Sequence, residues 1–335
     1  SSFFDNDSIY DALLRDGTSN LRSGKGRVYV MAAGNSRHIG HNANLTYVQS
    51  TRYTVNVAAL KYDNTYAFYS TPGSNVLVSG YAGTFDTVDP TIGTTAPMGT
   101  GNQNGLDTWA EDTNDNYTYS MNGTSAASPM ISGTIALVLE ACPDLTWRDV
   151  KYLIAKSATQ VDSGNSSWIT NSAGLKHSVD YGYGLMDTNA MISLCKNSYT
   201  LLPVETSSST TLSPSLAIPD DNSTGISQDI VISDDMKIEW VELTLNSNHA
   251  YASELKIELT SPSGTTNTIM AVNDANSNNG NCNNCIDTFY SGGFRMGSVA
   301  FYDEDSVGTW SVKVIDTEAN DIGTISTLTL KVYGH

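Results

Sequence analysis

The apolar positions of this chain follow one rhythm in its first half and another in its second. The first half holds short continuous apolar runs bounded by turn residues. Arg27-Val-Tyr-Val-Met-Ala-Ala33 stops at Gly34-Asn35, Tyr53-Thr-Val-Asn-Val-Ala-Ala59 forms a second run, and Asn75-Val-Leu-Val-Ser79 a third. Such runs suit parallel strands buried on both faces. Ser125 to Glu140 is mostly small and apolar and predicts a buried helix, with Pro129 in its first turn and Pro143 ending it. Thr146-Trp-Arg-Asp149 has the spacing of a capping box and predicts a helix running to about Ser157. Gly182-Tyr-Gly-Leu-Met-Asp187 predicts a turn into a last helix, N-capped by Asp187 and ending near Cys195. Residues 1–197 therefore read as an α/β unit.

Residues 198–216 are rich in Ser and Thr, contain two prolines and show neither helical nor strand periodicity, so they read as a linker. From 217 to 335 the period becomes two. Val241, Leu243 and Leu245 alternate with polar residues, as do Leu255, Ile257 and Leu259, then Trp310, Val312 and Val314, then Leu328, Leu330 and Val332. That pattern, with turns such as Ser261-Pro-Ser-Gly264 between runs, predicts an antiparallel β-sandwich.

A length of 335 residues accommodates two such units, each with its own core. Only 16% of residues are charged, and the net charge is −18. That excess repels nucleic-acid phosphates and is compatible with calcium, which takes oxygen ligands. No apolar run reaches the roughly 18 residues of a membrane span. The start, Ser1-Ser2-Phe3-Phe4, has neither an initiator Met nor the character of a signal peptide, and reads as a processed or cut end. The four cysteines suit an oxidising compartment. Cys282 and Cys285 predict a local disulfide, the alternative being half a zinc site. Cys142 and Cys195 could bridge the two ends of the first unit or remain separate buried thiols.

Gly123-Thr-Ser-Ala-Ala-Ser-Pro129 is the segment richest in chemistry. A nucleophilic serine needs an exposed oxygen, and a helix N-terminus supplies unpaired N–H groups for the developing negative charge. Gly123 permits close backbone approach, and the small residues after the serine let the helix pack beneath it. A plain structural cap would explain the same residues.

Gly123-Thr-Ser-Ala-Ala-Ser-Pro129 resembles the catalytic-serine motif of the subtilisin superfamily. Leu139-Glu-Ala-Cys-Pro-Asp-Leu-Thr-Trp-Arg-Asp-Val150 and Gly101-Asn-Gln-Asn104 are similar to its kexin/furin branch. The resemblance implies that Ser125 is the nucleophile. Tyr29-Val-Met-Ala-Ala-Gly-Asn35 resembles the strand end that carries the oxyanion-hole asparagine, which implies that role for Asn35. Ile218-Pro-Asp-Asp-Asn-Ser-Thr-Gly-Ile226, Leu255-Lys-Ile-Glu-Leu-Thr-Ser-Pro-Ser-Gly-Thr265 and Gly308-Thr-Trp-Ser-Val-Lys-Val-Ile-Asp316 look like the P domain of kexin-like proteases. The implied fold is the C-terminal portion of a subtilisin-like α/β domain followed by an all-β, jelly-roll-like sandwich.

A serine protease of this kind also needs an Asp and a His. None of His38, His41, His177, His249 and His335 sits in the family's His-Gly-Thr setting, and the Asp motif is absent. His38 and His41 read as loop residues, solvated or at the substrate edge. The expectation is therefore an upstream segment that carries the Asp and His, either as a nicked second chain or lost by truncation. The family implies a secreted serine endopeptidase acting on polypeptides, with basic P1 residues preferred and broad specificity as the rival. It also implies calcium as a structural ion and a propeptide or folding chaperone as a partner. Asp107, Asp112, Asp115, Asp220 and Asp221 are the candidate calcium ligands, though an acidic surface explains each as well. The loop His38-Ile-Gly-His-Asn-Ala-Asn-Leu45 and Tyr69-Ser-Thr-Pro-Gly73 lack acids found at these places in some relatives. Asn44, Asn116, Asn122, Asn165 and Asn222 head glycosylation sequons. A glycan on Asn122 would crowd Ser125, which favours a bacterial source. The competing functional classes are a pseudoprotease acting as a binding module and an adhesin.

Overall fold

The computed structural model describes residues 8–84, 89–95, 117–271 and 293–335. The first unit opens with α1 (Ser8–Asn20), which the apolar pattern did not announce: Ile9 and Leu13 are exposed, and Leu14 is its one buried large apolar residue. Strands β1 (Tyr29–Ala32), β2 (Thr54–Leu60) and β3 (Val76–Tyr81) form a parallel sheet in that order, so β1 is an edge strand. β2 is buried along its whole length, its polar Thr54 and Asn56 included, as suits a central parallel strand. The antiparallel pair β4 (Ile92–Thr95) and β5 (Tyr117–Met121) leads into α2 (Thr124–Ala141). Ala126, Ala127, Ile131, Ile135 and Val138 of α2 pack on Val55, Val57, Ala59 and Leu77 of the sheet.

Pro129 is the sixth residue of α2 and so lies in its second turn, not its first. The helix begins at Thr124, directly after Gly123, rather than closer to the proline. α3 (Trp147–Ser157) starts with the expected capping box, Thr146 with Asp149. After the small antiparallel pair β6 (Trp168–Thr170) and β7 (Lys176–Ser178) comes α4 (Thr188–Asn197), N-capped by Asp187 through the Ala190 N–H at 2.9 Å. A disulfide joins Cys142, the C-cap of α2, to Cys195 in α4, with Cα atoms 6.5 Å apart. The expected Cys282–Cys285 pair lies outside the described residues.

The expected linker needs correction. Residues 206–212 form β8 (Thr206–Leu212), the outer strand of a five-stranded sheet, and β9 (Leu216–Ile218) pairs with the same neighbour. β8 carries Ser and Thr on both faces because it lies at an edge with Ser208 its one buried residue, so no apolar alternation marks it. The remaining strands are β10 (Ile226–Ile232), β11 (Ile238–Ser247), β12 (Leu255–Thr260), β13 (Thr266–Met270), β14 (Phe294–Ser298), β15 (Gly308–Asp316) and β16 (Gly323–Gly334). They form two sheets, β10-β15-β12-β13 and β14-β11-β16-β8. Every alternating apolar residue named from the sequence is buried between them.

The two units share a polar seam. Asn44 Nδ2 donates to Ser74 Oγ (2.8 Å) and to the Ile269 and Gly297 carbonyls (3.1 Å each), while its Oδ1 accepts from Gly297 N–H (2.9 Å). Asn171 Nδ2 reaches the Ala300 and Tyr302 carbonyls. Arg148 forks onto buried Glu239, with Nε 2.9 Å from Oε2 and Nη2 on Oε1. Lys156 pairs with Asp303 at 2.5 Å.

Candidate active site

β1 ends at Ala32, and the chain turns at Gly34, whose φ is +111°. Asn35 follows at the carboxyl end of the parallel strands, where α/β sheets place their ligands. Its side chain meets the start of α2. Thr124 N–H donates to Asn35 Oδ1 at 2.9 Å, and Thr124 Oγ1 donates to the same oxygen at 2.8 Å. Thr124 Oγ1 accepts in turn from Gly34 N–H at 3.2 Å. A backbone N–H can only donate, so the atom facing Thr124 is the amide oxygen. The Nδ2 end is left as a donor, and among the described residues no acceptor takes it.

Gly123 makes this approach possible. Its φ of +86° and ψ of +160° lie in a region that is essentially glycine-only. A Cβ there would stand 3.0 Å from Asn35 Nδ2. Buried Tyr69 holds Gly123 from the other side: its hydroxyl accepts from Gly123 N–H (2.8 Å) and donates to the Gly83 carbonyl (2.6 Å). Burial pushes the Tyr69 phenol up to about 12, so it stays neutral and can play both parts. Thr71 Oγ1 fixes the next turn by accepting from Ser36 N–H at 2.9 Å.

Ser125 is the second residue of α2 and is exposed, although Thr124, Ala126 and Ala127 around it are buried. At that position the backbone N–H has no intrahelical acceptor and lies at the positive end of the helix dipole. An exposed hydroxyl, an unpaired N–H and a nearby amide Nδ2 therefore converge. That set can attack a carbonyl and hold the negative charge that develops on its oxygen.

The histidines are elsewhere. His177 is fully buried with Nε2 3.0 Å from the Val76 carbonyl, and burial holds it down to about 4. His249 and His335 belong to the sandwich and face Asp316 and Glu239. His38 is exposed in a short 3₁₀ turn (Arg37–Ile39) beside Phe68, and His41 is half-buried, held below its ordinary pKa by burial and then by His38. No described residue hydrogen-bonds the Ser125 hydroxyl. The loop after Asn35 carries a cation, Arg37, which pairs with Asp180 at 2.6 Å and lies over the Tyr66 ring. Of the calcium candidates, Asp107, Asp112 and Asp115 lie outside the described residues. Asp220 accepts from Asn320 N–H at 3.0 Å, and among the described residues neither it nor Asp221 belongs to a group of three ligating side chains.

Thr124, Tyr69 and Thr71 were not picked out as site residues from the sequence. Thr124 lay inside the serine motif, but its task depends on contact with a residue 89 positions away. Nothing in sequence marks that contact.

The sequence model of the subtilase family matches residues 4–184, and that of the proprotein convertase P-domain matches residues 238–332. Rat (Rattus norvegicus) furin is 29% identical over 326 residues, which cover 95% of this chain and 37% of furin. The Aeromonas extracellular serine protease of Aeromonas sobria is 30% identical over 323 residues, covering 86% of this chain and 52% of that protein. The chain thus spans well under two thirds of the length of these relatives. The crystal structure of the Aeromonas sobria serine protease with its chaperone superposes with a TM-score of 0.84 at 26% identity, over 98% of this chain and 67% of that one. The chain belongs to the subtilase family, with a proprotein convertase P-domain as its sandwich.

Proposed function

We propose that this chain supplies the nucleophile and the oxyanion hole of a secreted serine endopeptidase. Ser125 Oγ attacks the scissile carbonyl and forms an acyl-enzyme. Asn35 Nδ2 and the Ser125 backbone N–H hold the oxyanion. The observation that carries this reading is the Thr124–Asn35 contact, because it aims a fixed donor at the start of the helix that exposes Ser125. A donor held in place before the reaction stabilises developing charge without having to reorganise.

The base and its orienting carboxylate are assigned to a segment outside these 335 residues. Two observations support that assignment: among the described residues no histidine hydrogen-bonds Ser125, and β1 lies at an edge of the described parallel sheet, where a further strand could pair. Polypeptides are the substrate class, and the likeness to furin favours basic P1 residues. The acids for that preference are assigned to the same segment, since Asp180 is already paired with Arg37. A folding chaperone is a fitting partner, as for the Aeromonas protease. The reading includes a structural calcium ion on the family resemblance alone, and no step uses it.

The test is labelling of the active preparation with a serine-directed fluorophosphonate, followed by denaturing mass analysis. The adduct is expected on Ser125, with a second, non-covalently held polypeptide released on denaturation. An active preparation that contains only this chain, or one labelled elsewhere, overturns the reading. An unlabelled, folded protein favours the pseudoprotease.

A further inference from the structure

At the end of the sandwich formed by the β11–β12 connection and the end of β15, three side chains of different elements converge. His249 follows β11, Glu254 ends a short 3₁₀ turn (Ala252–Glu254), and Asp316 ends β15. One ligand atom from each lies within 4.8 Å of the others. We propose that His249, Glu254 and Asp316 bind a first-row divalent cation, with zinc as the representative ion and water completing its coordination.

The site is built rather than incidental. His249 and Asp316 side chains are both fully buried, with Nε2 3.0 Å from Asp316 Oδ2. Nδ1 lies between two Tyr251 backbone groups, 3.0 Å from the carbonyl and 3.2 Å from the N–H, so it donates to the first in one tautomer and accepts from the second in the other. A carbonyl at one ring nitrogen is the usual partner of a metal-bound histidine, since it fixes the tautomer that leaves the other nitrogen's lone pair free. In that tautomer the Nε2 lone pair and the Asp316 carboxylate are two acceptors that a cation can bridge; in the other tautomer Nε2–H donates to Oδ2, and metal binding displaces that proton. Asp316 Oδ1 is held by Glu318 N–H at 3.2 Å, which turns Oδ2 toward the ring. The Glu254 carbonyl is held by Thr317 N–H (3.2 Å) and Thr317 Oγ1 (3.0 Å). Gly323 leaves room for the histidine: a Cβ there would stand 2.6 Å from His249 Cβ.

Two features point to a cation rather than to an isolated ion pair. Glu254 Oε2 is buried and has no hydrogen-bond donor among the described residues. Burial first, and then the charges of Asp321, Asp316 and Glu318, raise the pKa of that carboxyl. A buried carboxylate oxygen with no donor, in a field of like charge, is costly unless a counter-ion is present. The imidazole ligand and the small number of protein ligands favour zinc-like ions over calcium, which takes six to eight oxygens. Ligands about 2.0–2.2 Å from such an ion stand roughly 3.3–3.6 Å apart, so Nε2 and Oδ2, now 3.0 Å apart, would open slightly while the Glu254 carboxylate closes in. Bound there, the ion would tie the β11–β12 connection to the end of β15.

The experiment uses the full chain with Cys282 and Cys285 replaced by serine, so that the C-x-x-C pair cannot take up zinc. After chelator treatment, zinc and calcium uptake are measured by equilibrium dialysis, and melting is followed with and without zinc. The expected result is one zinc per chain and a higher Tm with zinc. Glu254→Gln, at a half-exposed position that leaves the fold intact by circular dichroism, should weaken zinc binding at least about tenfold and remove the Tm shift. His249→Gln should do the same. Zinc uptake that neither substitution changes, uptake of calcium in preference to zinc, or no uptake by the folded protein each overturns the proposal.

Discussion

Thr124 N–H lies 2.9 Å from Asn35 Oδ1, and this contact leaves the Nδ2 end of the Asn35 amide as the open donor. Removing the corresponding donor from a subtilisin lowers turnover about 10²–10³-fold. Asn35→Leu in the active assembly is expected to lower kcat by that amount with little change in KM. Thr124→Val keeps the backbone contact but loses the hydroxyl bond at 2.8 Å. It should cost about tenfold, one hydrogen bond's share. Steady-state hydrolysis of a peptide substrate reads both, and equal losses in the two variants would contradict this division of labour.

Gly123→Ala puts a Cβ against Asn35 Nδ2 in a backbone conformation that only glycine adopts without strain. Stability should fall by about 1–3 kcal/mol in urea melts. Fluorophosphonate labelling of Ser125 should fall with it, even at temperatures where the variant remains folded.

His177 makes the fold acid-sensitive. Its folded pKa of about 4 lies below the ordinary 6.5. Between those values the unfolded chain binds more protons, so stability falls as pH drops from 6.5 toward 4, by roughly 3 kcal/mol in all. His177→Gln keeps a donor for the Val76 carbonyl and should flatten this part of the profile. An unchanged slope would point to the carboxylates instead.

Lys151 acts in the alkaline range. It is 2% exposed, donates to the Arg52 carbonyl at 2.5 Å, and burial followed by Arg52 holds its pKa down to about 7 against an ordinary 10.5. The unfolded chain therefore binds more protons between pH 7 and 10.5, and stability rises with pH across that window. Lys151→Met should remove most of the rise, as measured by denaturant melts from pH 7 to 9.

Arg148→Met should destabilise the protein by about 3–5 kcal/mol, because buried Glu239 would lose its bidentate partner. Arg148→Met with Glu239→Gln should recover part of that loss. A double-mutant cycle with no coupling would show that the pair does not hold the seam.

The sequence showed most of the fold because the decisive signals were local. Three apolar runs gave three parallel strands, Thr146 and Asp149 gave a helix start, and Val241 to Val332 gave the sandwich core. β8 was hidden because an edge strand exposes most of its residues and so lacks alternation. Ser125 and Asn35 were readable as motifs, but the contact that brings them into one site crosses 89 positions and required the parallel sheet to exist first. His249, Glu254 and Asp316 were hidden for the same reason: they are scattered over three elements, with no spacing to betray them.

The seam has a consequence for heredity. Arg148, Asn44 and Asn171 are buried or half-buried groups of the first unit whose partners lie in the second. A gene rearrangement that replaced the sandwich with a foreign one would leave Arg148 without Glu239 and Asn44 without the β14 backbone. Asn44 lies nine positions after Asn35 on the loop that leaves that asparagine, so the disturbance would fall on the same loop. Selection for a stable fold therefore acts on both halves together, and the pair should be inherited as one unit rather than exchanged as modules.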